Sequence, residues 1–130
     1  MSISEKAIEI HDRGFNCAQS VLAALGEYTG LDEKTALSIS AGFGGGVRCG
    51  EICGSICGAV MAVGLANPFC DGNDAAAKNS VAVLSKECTN AFKEKYGCVR
   101  CLDLKKMGKP CSELIGFGAE VAEKIIINNK

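Results

Sequence analysis

Residues 42–65 read GFGGGVRCGEICGSICGAVMAVGL, and this stretch constrains the fold more than any other. Three cysteines, Cys49, Cys53 and Cys57, recur every fourth residue, and Gly44, Gly45, Gly46, Gly50, Gly54 and Gly58 surround them. After Gly58 the text turns apolar through Ala59, Val60, Met61, Ala62, Val63 and Leu65. The pattern predicts a loose glycine loop feeding a buried helix, with thiols near its first turns. Two geometries are open. If the whole stretch is helical, steps of four return to nearly the same face and the three sulfurs form a stripe. If only the second half is helical, Cys53 stands at the helix start, where free N–H groups and the dipole favour a thiolate.

The chain has 130 residues, enough for one domain with a real core and no disulfide staples. Its formal net charge is −1, which argues against a nucleic-acid binder and a polybasic membrane patch. No apolar run approaches the ~20 residues of a membrane span, so no membrane insertion is expected. The first residues, MSISEKAIEIHDRG, are charged and helix-patterned rather than signal-like, which predicts a cytoplasmic protein. Nine cysteines then stand out. In a reducing compartment they read as metal or cluster ligands, as redox thiols, or as small buried apolar residues.

Periodicity predicts helices throughout and no run of alternating strand residues. The fold class expected is all-α, a compact bundle of five or six short helices in a single cysteine-rich helical domain spanning 1–130. Ser2 with Glu5 forms a capping box for the first helix, and Gly14 breaks it. Asn16 with Gln19 repeats the device and puts Cys17 at the first position of a second helix. Asp32 caps a third helix. Asn67 and Pro68 end the central one. Cys70 falls in the next loop. Asp74 starts a long helix over 75–95 whose apolar face includes Cys88, read as core. Lys78, Lys86, Lys93 and Lys95 form its solvated face. Gly97 closes it. Cys98 and Cys101 make a C-x-x-C pair, suited to a metal knuckle or a vicinal dithiol. Cys111 opens the last helix after Pro110. The glycine loop lacks the Lys-Ser/Thr of a phosphate-binding loop and no strand precedes it. His11, the one histidine, reads as structural, which leaves a cysteine–histidine hydrolase without a base.

Asn16-Cys17-Ala18-Gln19, then Cys53-Gly54-Ser55-Ile56-Cys57-Gly58, then Cys101 in YGCVRCLDL and Cys111 in PCSEL resemble the C_GCAxxG_C_C family, a family with a suspected redox role. The resemblance covers nearly the whole chain. It implies a small helical protein with four characteristic cysteines, carried here by Cys17, Cys53, Cys101 and Cys111. The match is not literal: the pattern's Gly-Cys-Ala-x-x-Gly is here Ile52-Cys53-Gly54-Ser55-Ile56-Cys57, the closer form is Cys-Gly-Ala-x-x-Gly with Ser55 in the Ala place, and Cys57 is an added thiol.

Three chemistries suit such a set. The first is an iron–sulfur cluster bound by Cys17, Cys53, Cys101 and Cys111 for electron transfer, with Cys49, Cys57 and Cys98 as further metal ligands. No C-x₂-C-x₂-C run is present, so its ligands must be gathered from distant segments, within one chain or across a homodimer. The second is thiol–disulfide exchange without a cofactor, with Cys17 or Cys53 as the low-pKa attacking thiol and Cys98, Cys101 or Cys111 resolving. The third is zinc or another soft metal, which thiolates select. The redox readings require a partner protein that the residues do not identify. A packing or partner-binding module with no redox role is the remaining alternative.

Overall fold

The computed structural model describes residues 1–129, and within them the regular structure is helical. Eight α-helices follow one another among the described residues: α1 (Ile3–Asp12), α2 (Cys17–Ala24), α3 (Gly26–Thr29), α4 (Glu33–Ser40), α5 (Gly54–Ala66), α6 (Ala75–Tyr96), α7 (Cys101–Lys106) and α8 (Cys111–Asn128). The all-α expectation holds, with six helices of eight residues or more and two short turns, α3 and α7. The helices are not uniformly short, since α6 runs 22 residues and α8 runs 18.

Local chemistry sets their ends. Ser2 Oγ accepts from the Glu5 N–H at 3.1 Å while Glu5 Oε1 accepts from the Ser2 N–H at 2.9 Å, the reciprocal box expected for α1. Asp32 caps α4 through Thr35, and Asp74 caps α6 through Ala77. Gly97, in the left-handed conformation, ends α6. His11 holds the α1–α2 corner, with Nδ1 2.8 Å from the Phe15 carbonyl, in keeping with a structural role.

The core forms where α1, α2, α5 and α8 pack on one another. α5 is apolar nearly all round and occupies the middle of the bundle. It sits close to α2 because Gly58 leaves room: a Cβ there would meet the Ala18 carbonyl oxygen at 2.7 Å. Val21, Leu22, Leu25, Ala59, Val63, Ile115 and Ala122 fill the centre, and Cys88 of α6 is fully buried among them. A smaller cluster lies at the other end of α5. It joins Cys53 and Ile56 to Phe92, Tyr96, Leu104 and Leu114, with Phe117 against them. Phe92, Tyr96 and Phe117 form a mutually tilted aromatic group, ring centroids 5.0–5.8 Å apart. Lys95 is exposed, as the polar pattern of α6 predicted, and also reaches an aromatic ring. Its Nζ lies 4.3 Å from the Phe117 ring centroid.

Candidate functional site

Of the two geometries open for residues 42–65, the second is the one found. α5 begins at Gly54, so Cys53 is its N-cap, Cys57 lies in its first turns, and Cys49 belongs to the preceding loop. No three-sulfur stripe forms. The loop instead makes a left-handed turn. Gly45 (φ 65°), Gly46 (66°), Val47 (57°) and Arg48 (62°) all have positive φ, and the Glu51 N–H closes the turn onto the Gly46 carbonyl at 3.1 Å. Two residues with a Cβ, one of them β-branched, are thereby held in a region that costs ~1–2 kcal/mol each. Gly46 has no alternative. A Cβ there would stand 2.5 Å from the backbone N and O of Glu51 and 2.9 Å from Cys101 Cβ.

The turn delivers Glu51, Ile52 and Cys53 to the segment before α7. Ile52 and Arg100 pair as one antiparallel bridge, with the Cys53 N–H donating to Val99 O at 2.8 Å and the Cys101 N–H to Glu51 O at 2.6 Å. Cys53 and Cys101 become diagonal partners across that bridge. Arg100 also pairs with Glu51 at 3.0 Å and with Asp103 at 3.7 Å.

Cys17 arrives from the other side. Asn16 Oδ1 accepts from the Gln19 N–H at 3.0 Å, and Gln19 Oε1 accepts from the Asn16 N–H at 3.0 Å. Asn16 Nδ2 donates to the Ala41 carbonyl at 2.9 Å, tying the start of α2 to the chain just before the glycine loop. Cys17 Sγ then lies against Gly54, where any Cβ would collide with it. Cys101 and Cys111 are the first residues of α7 and α8. The four cysteines of the family pattern thus all stand at helix starts, where backbone N–H groups lack intrahelical partners.

Charge on one sulfur is felt at others. A Cys17 thiolate opposes ionisation of Cys53, Cys57 and Cys101, and a Cys111 thiolate opposes that of Cys101. Cys17 is thus coupled to Cys53, Cys57 and Cys101, and Cys111 joins them through Cys101. Their burial is graded: Cys53 and Cys101 are buried, Cys17 and Cys57 half-buried, Cys111 exposed. Burial pushes the Cys53 thiol up to about 11, against the pull of the Ser55 and Ile56 N–H groups. The expectation that Cys53 is a low-pKa attacking thiol is corrected here, because desolvation outweighs the helix start. Burial likewise raises Cys57 and Cys101.

Of the remaining cysteines, Cys98 packs against the cluster that holds Cys53. Cys49 is exposed and points to the Gly46 carbonyl at 3.4 Å. Cys98 is half-buried, with Sγ 3.6 Å from Met107 Sδ, so the C-x-x-C pair splits, Cys101 turning inward and Cys98 toward Met107. Cys70 sits past the far end of α5, in a groove with Leu65 and Phe69. Among the described residues, no three His, Cys, Asp or Glu side chains are grouped to hold a single metal ion.

Two features of the site carried little sequence signal. The left-handed turn is foreshadowed only by the glycine run, which did not announce positive φ at Val47 and Arg48. Ser55 is the other. Its Oγ is the one buried side-chain oxygen or nitrogen among the described residues with no hydrogen-bond partner. It stands near enough to Cys53 for its dipole to favour a thiolate there, short of a formed hydrogen bond.

Neither the curated proteins nor the solved structures compared contain a match to the chain. A family model does: the one described as "Putative redox-active protein (C_GCAxxG_C_C)" matches residues 15–125, from the corner before Cys17 into the last turns of α8. With Cys17, Cys53, Cys101 and Cys111 all inside that span, the chain belongs to the C_GCAxxG_C_C family.

Proposed function

We propose that this chain is a small redox carrier whose cysteines Cys17, Cys53, Cys101 and Cys111 hold an iron–sulfur cluster. The observation that carries the reading is that four helix starts each present one cysteine, with Cys17 coupled in charge to Cys53 and Cys101, and Cys101 to Cys111. Three details of the chain fit such a group. Cys53 and Cys101 are buried thiols whose protons are hard to remove until a cation replaces them. Gly54, with no side chain, lets Cys17 Sγ close onto the start of α5 beside Cys53. The Ser55 hydroxyl is buried without an acceptor.

When bound, the cluster stores and releases single electrons. The chain supplies the rest. The backbone N–H groups at the starts of α2, α5 and α8 that lack a helical partner offset negative charge on the sulfurs. Phe92, Tyr96 and Leu104 keep water from Cys53. Exposed Cys111 marks the side where a partner protein gives or takes one electron, with no bond made or broken. Cys57, within reach of Cys17 charge, is a substitute ligand. The setting is cytoplasmic. No helix among the described residues is long and apolar enough to cross a membrane.

Thiol–disulfide exchange is the second reading. It is favoured by the accessibility of Cys17 and Cys111 at helix starts. Anaerobic purification followed by iron, acid-labile sulfide and zinc analysis separates the two. Stoichiometric iron and sulfide with broad visible absorption is the expected result. Colourless, metal-free protein that loses thiols in pairs on mild oxidation replaces the cluster by a dithiol. Colourless protein with stoichiometric zinc sinks both.

A further inference from the structure

The chain buries three serines completely, Ser20, Ser40 and Ser55. Ser20 Oγ donates to the carbonyl four residues back, Asn16 O, at 2.7 Å, and Ser40 Oγ does the same to Ala36 O at 2.6 Å. Ser55 has no such outlet. It is the second residue of α5, so the residue four back, Glu51, lies outside the helix, and its carbonyl already accepts the Cys101 N–H. α8 closes another side: a Cβ on Gly118 would stand 2.9 Å from the Ser55 carbonyl oxygen and 3.1 Å from Ser55 Cβ. The hydroxyl is left without a partner two residues from Cys53, itself 3% exposed. A buried hydroxyl without an acceptor is costly, and few native structures retain one without a use. A neutral thiol accepts hydrogen bonds weakly, whereas a charged sulfur accepts them strongly.

We infer that Ser55 is a positioning residue that donates its hydroxyl proton to the sulfur of Cys53 when that sulfur is charged and cluster-bound, and that it thereby sets the potential of the site. The inference rests on the cluster reading above. A donor to a ligand sulfur favours the more negative, reduced form, so Ser55 raises the potential. In the metal-free chain the same hydroxyl only destabilises.

Redox titration and thermal melting of wild-type and Ser55→Ala protein, each loaded and metal-free, test this. Loaded Ser55→Ala is expected to keep its iron and sulfide and to titrate at a more negative potential. A tenfold change in the one-electron equilibrium, ~59 mV, is the expected size. Metal-free Ser55→Ala is expected to melt above metal-free wild type, and that gain is expected to vanish in the loaded proteins. Full cluster content with an unmoved potential overturns the inference and leaves the cluster reading standing. An equal melting gain in both states also overturns it, since the hydroxyl is then unpartnered throughout. Wild-type protein that takes up neither iron nor sulfide overturns the cluster reading, and the inference falls with it.

Discussion

Cys53 and Cys88 are both buried cysteines with strongly raised thiol pKa values, yet they belong to opposite kinds of region. Cys88 lies in the middle of α6, packed into the main core, where its helix satisfies every backbone N–H around it. Cys53 lies at the start of α5, between a left-handed turn and an aromatic wall, beneath N–H groups that have no helical partner. Burial alone does not tell a structural thiol from a candidate ligand. The backbone position does, because only a helix start offers donors that stabilise charge on sulfur.

The sharpest way to break this contrast is to exchange the sulfurs. Cys53→Ser is expected to abolish bound iron and sulfide and all redox behaviour while leaving the helical circular dichroism in place. Full cofactor content in that variant would remove Cys53 from the site. The wall around it should matter next. Phe92→Ala empties a fully buried ring position between Tyr96 and Phe117 and is expected to cost about 3–5 kcal/mol in denaturant unfolding. A loss under ~1 kcal/mol would mean that the wall collapses freely.

Gly46→Ala probes the strained side. With φ at 66° and Glu51 backbone 2.5 Å from the new Cβ, it is expected to cost about 3 kcal/mol and to loosen the Ile52–Arg100 backbone bridge. Chemical denaturation measures the first effect and exchange of the Cys53 and Cys101 amides the second. Protection that survives in both amides would show that the turn does not hold the bridge.

The core thiol gives the smaller effects. Burial first, and Glu87 second, push Cys88 from 9.0 to about 12. The unfolded chain then releases this proton at lower pH than the folded one, so stability is full below pH ~9 and falls as pH rises from there toward about 12. Urea melts across that window should show the fall, and Cys88→Ala should reduce it, leaving the part that the raised Cys53 thiol contributes between pH ~9 and about 11. At neutral pH Cys88→Ala is expected to cost only ~1 kcal/mol, from the small cavity left by one sulfur, and to leave iron content unchanged. Loss of iron in that variant would erase the distinction between the two regions.

Much of this was legible in the residues. Asn16 with Gln19 encodes a capping box that needs only four consecutive residues, so the place of Cys17 at a helix start could be read directly. Asp74 and Gly97 mark the ends of α6 in the same local way, and the apolar spacing around Cys88 announces its burial. The four cysteines of the family pattern could be picked out from their neighbours alone. The low pKa expected of Cys53 could not be checked that way, because desolvation depends on Phe92, Tyr96, Leu104 and Leu114, which come from elements distant in the chain.

The sequence by itself determined the helical class, the helix starts at Cys17 and Cys111, and the set of cysteines to consider, because caps, periodicity and motif neighbours act over a few residues. Only the tertiary structure decided which cysteines share a neighbourhood. Bringing Cys53 beside Cys101 requires a left-handed turn at residues 45–48 and a bridge between segments nearly fifty residues apart. Setting Cys17 against Gly54 requires α2 and α5 to pack closely. Isolating the Ser55 hydroxyl requires α8 to pass over it at Gly118. Each is a close approach between parts that carry no local signal for one another, and packing density rather than propensity selects it.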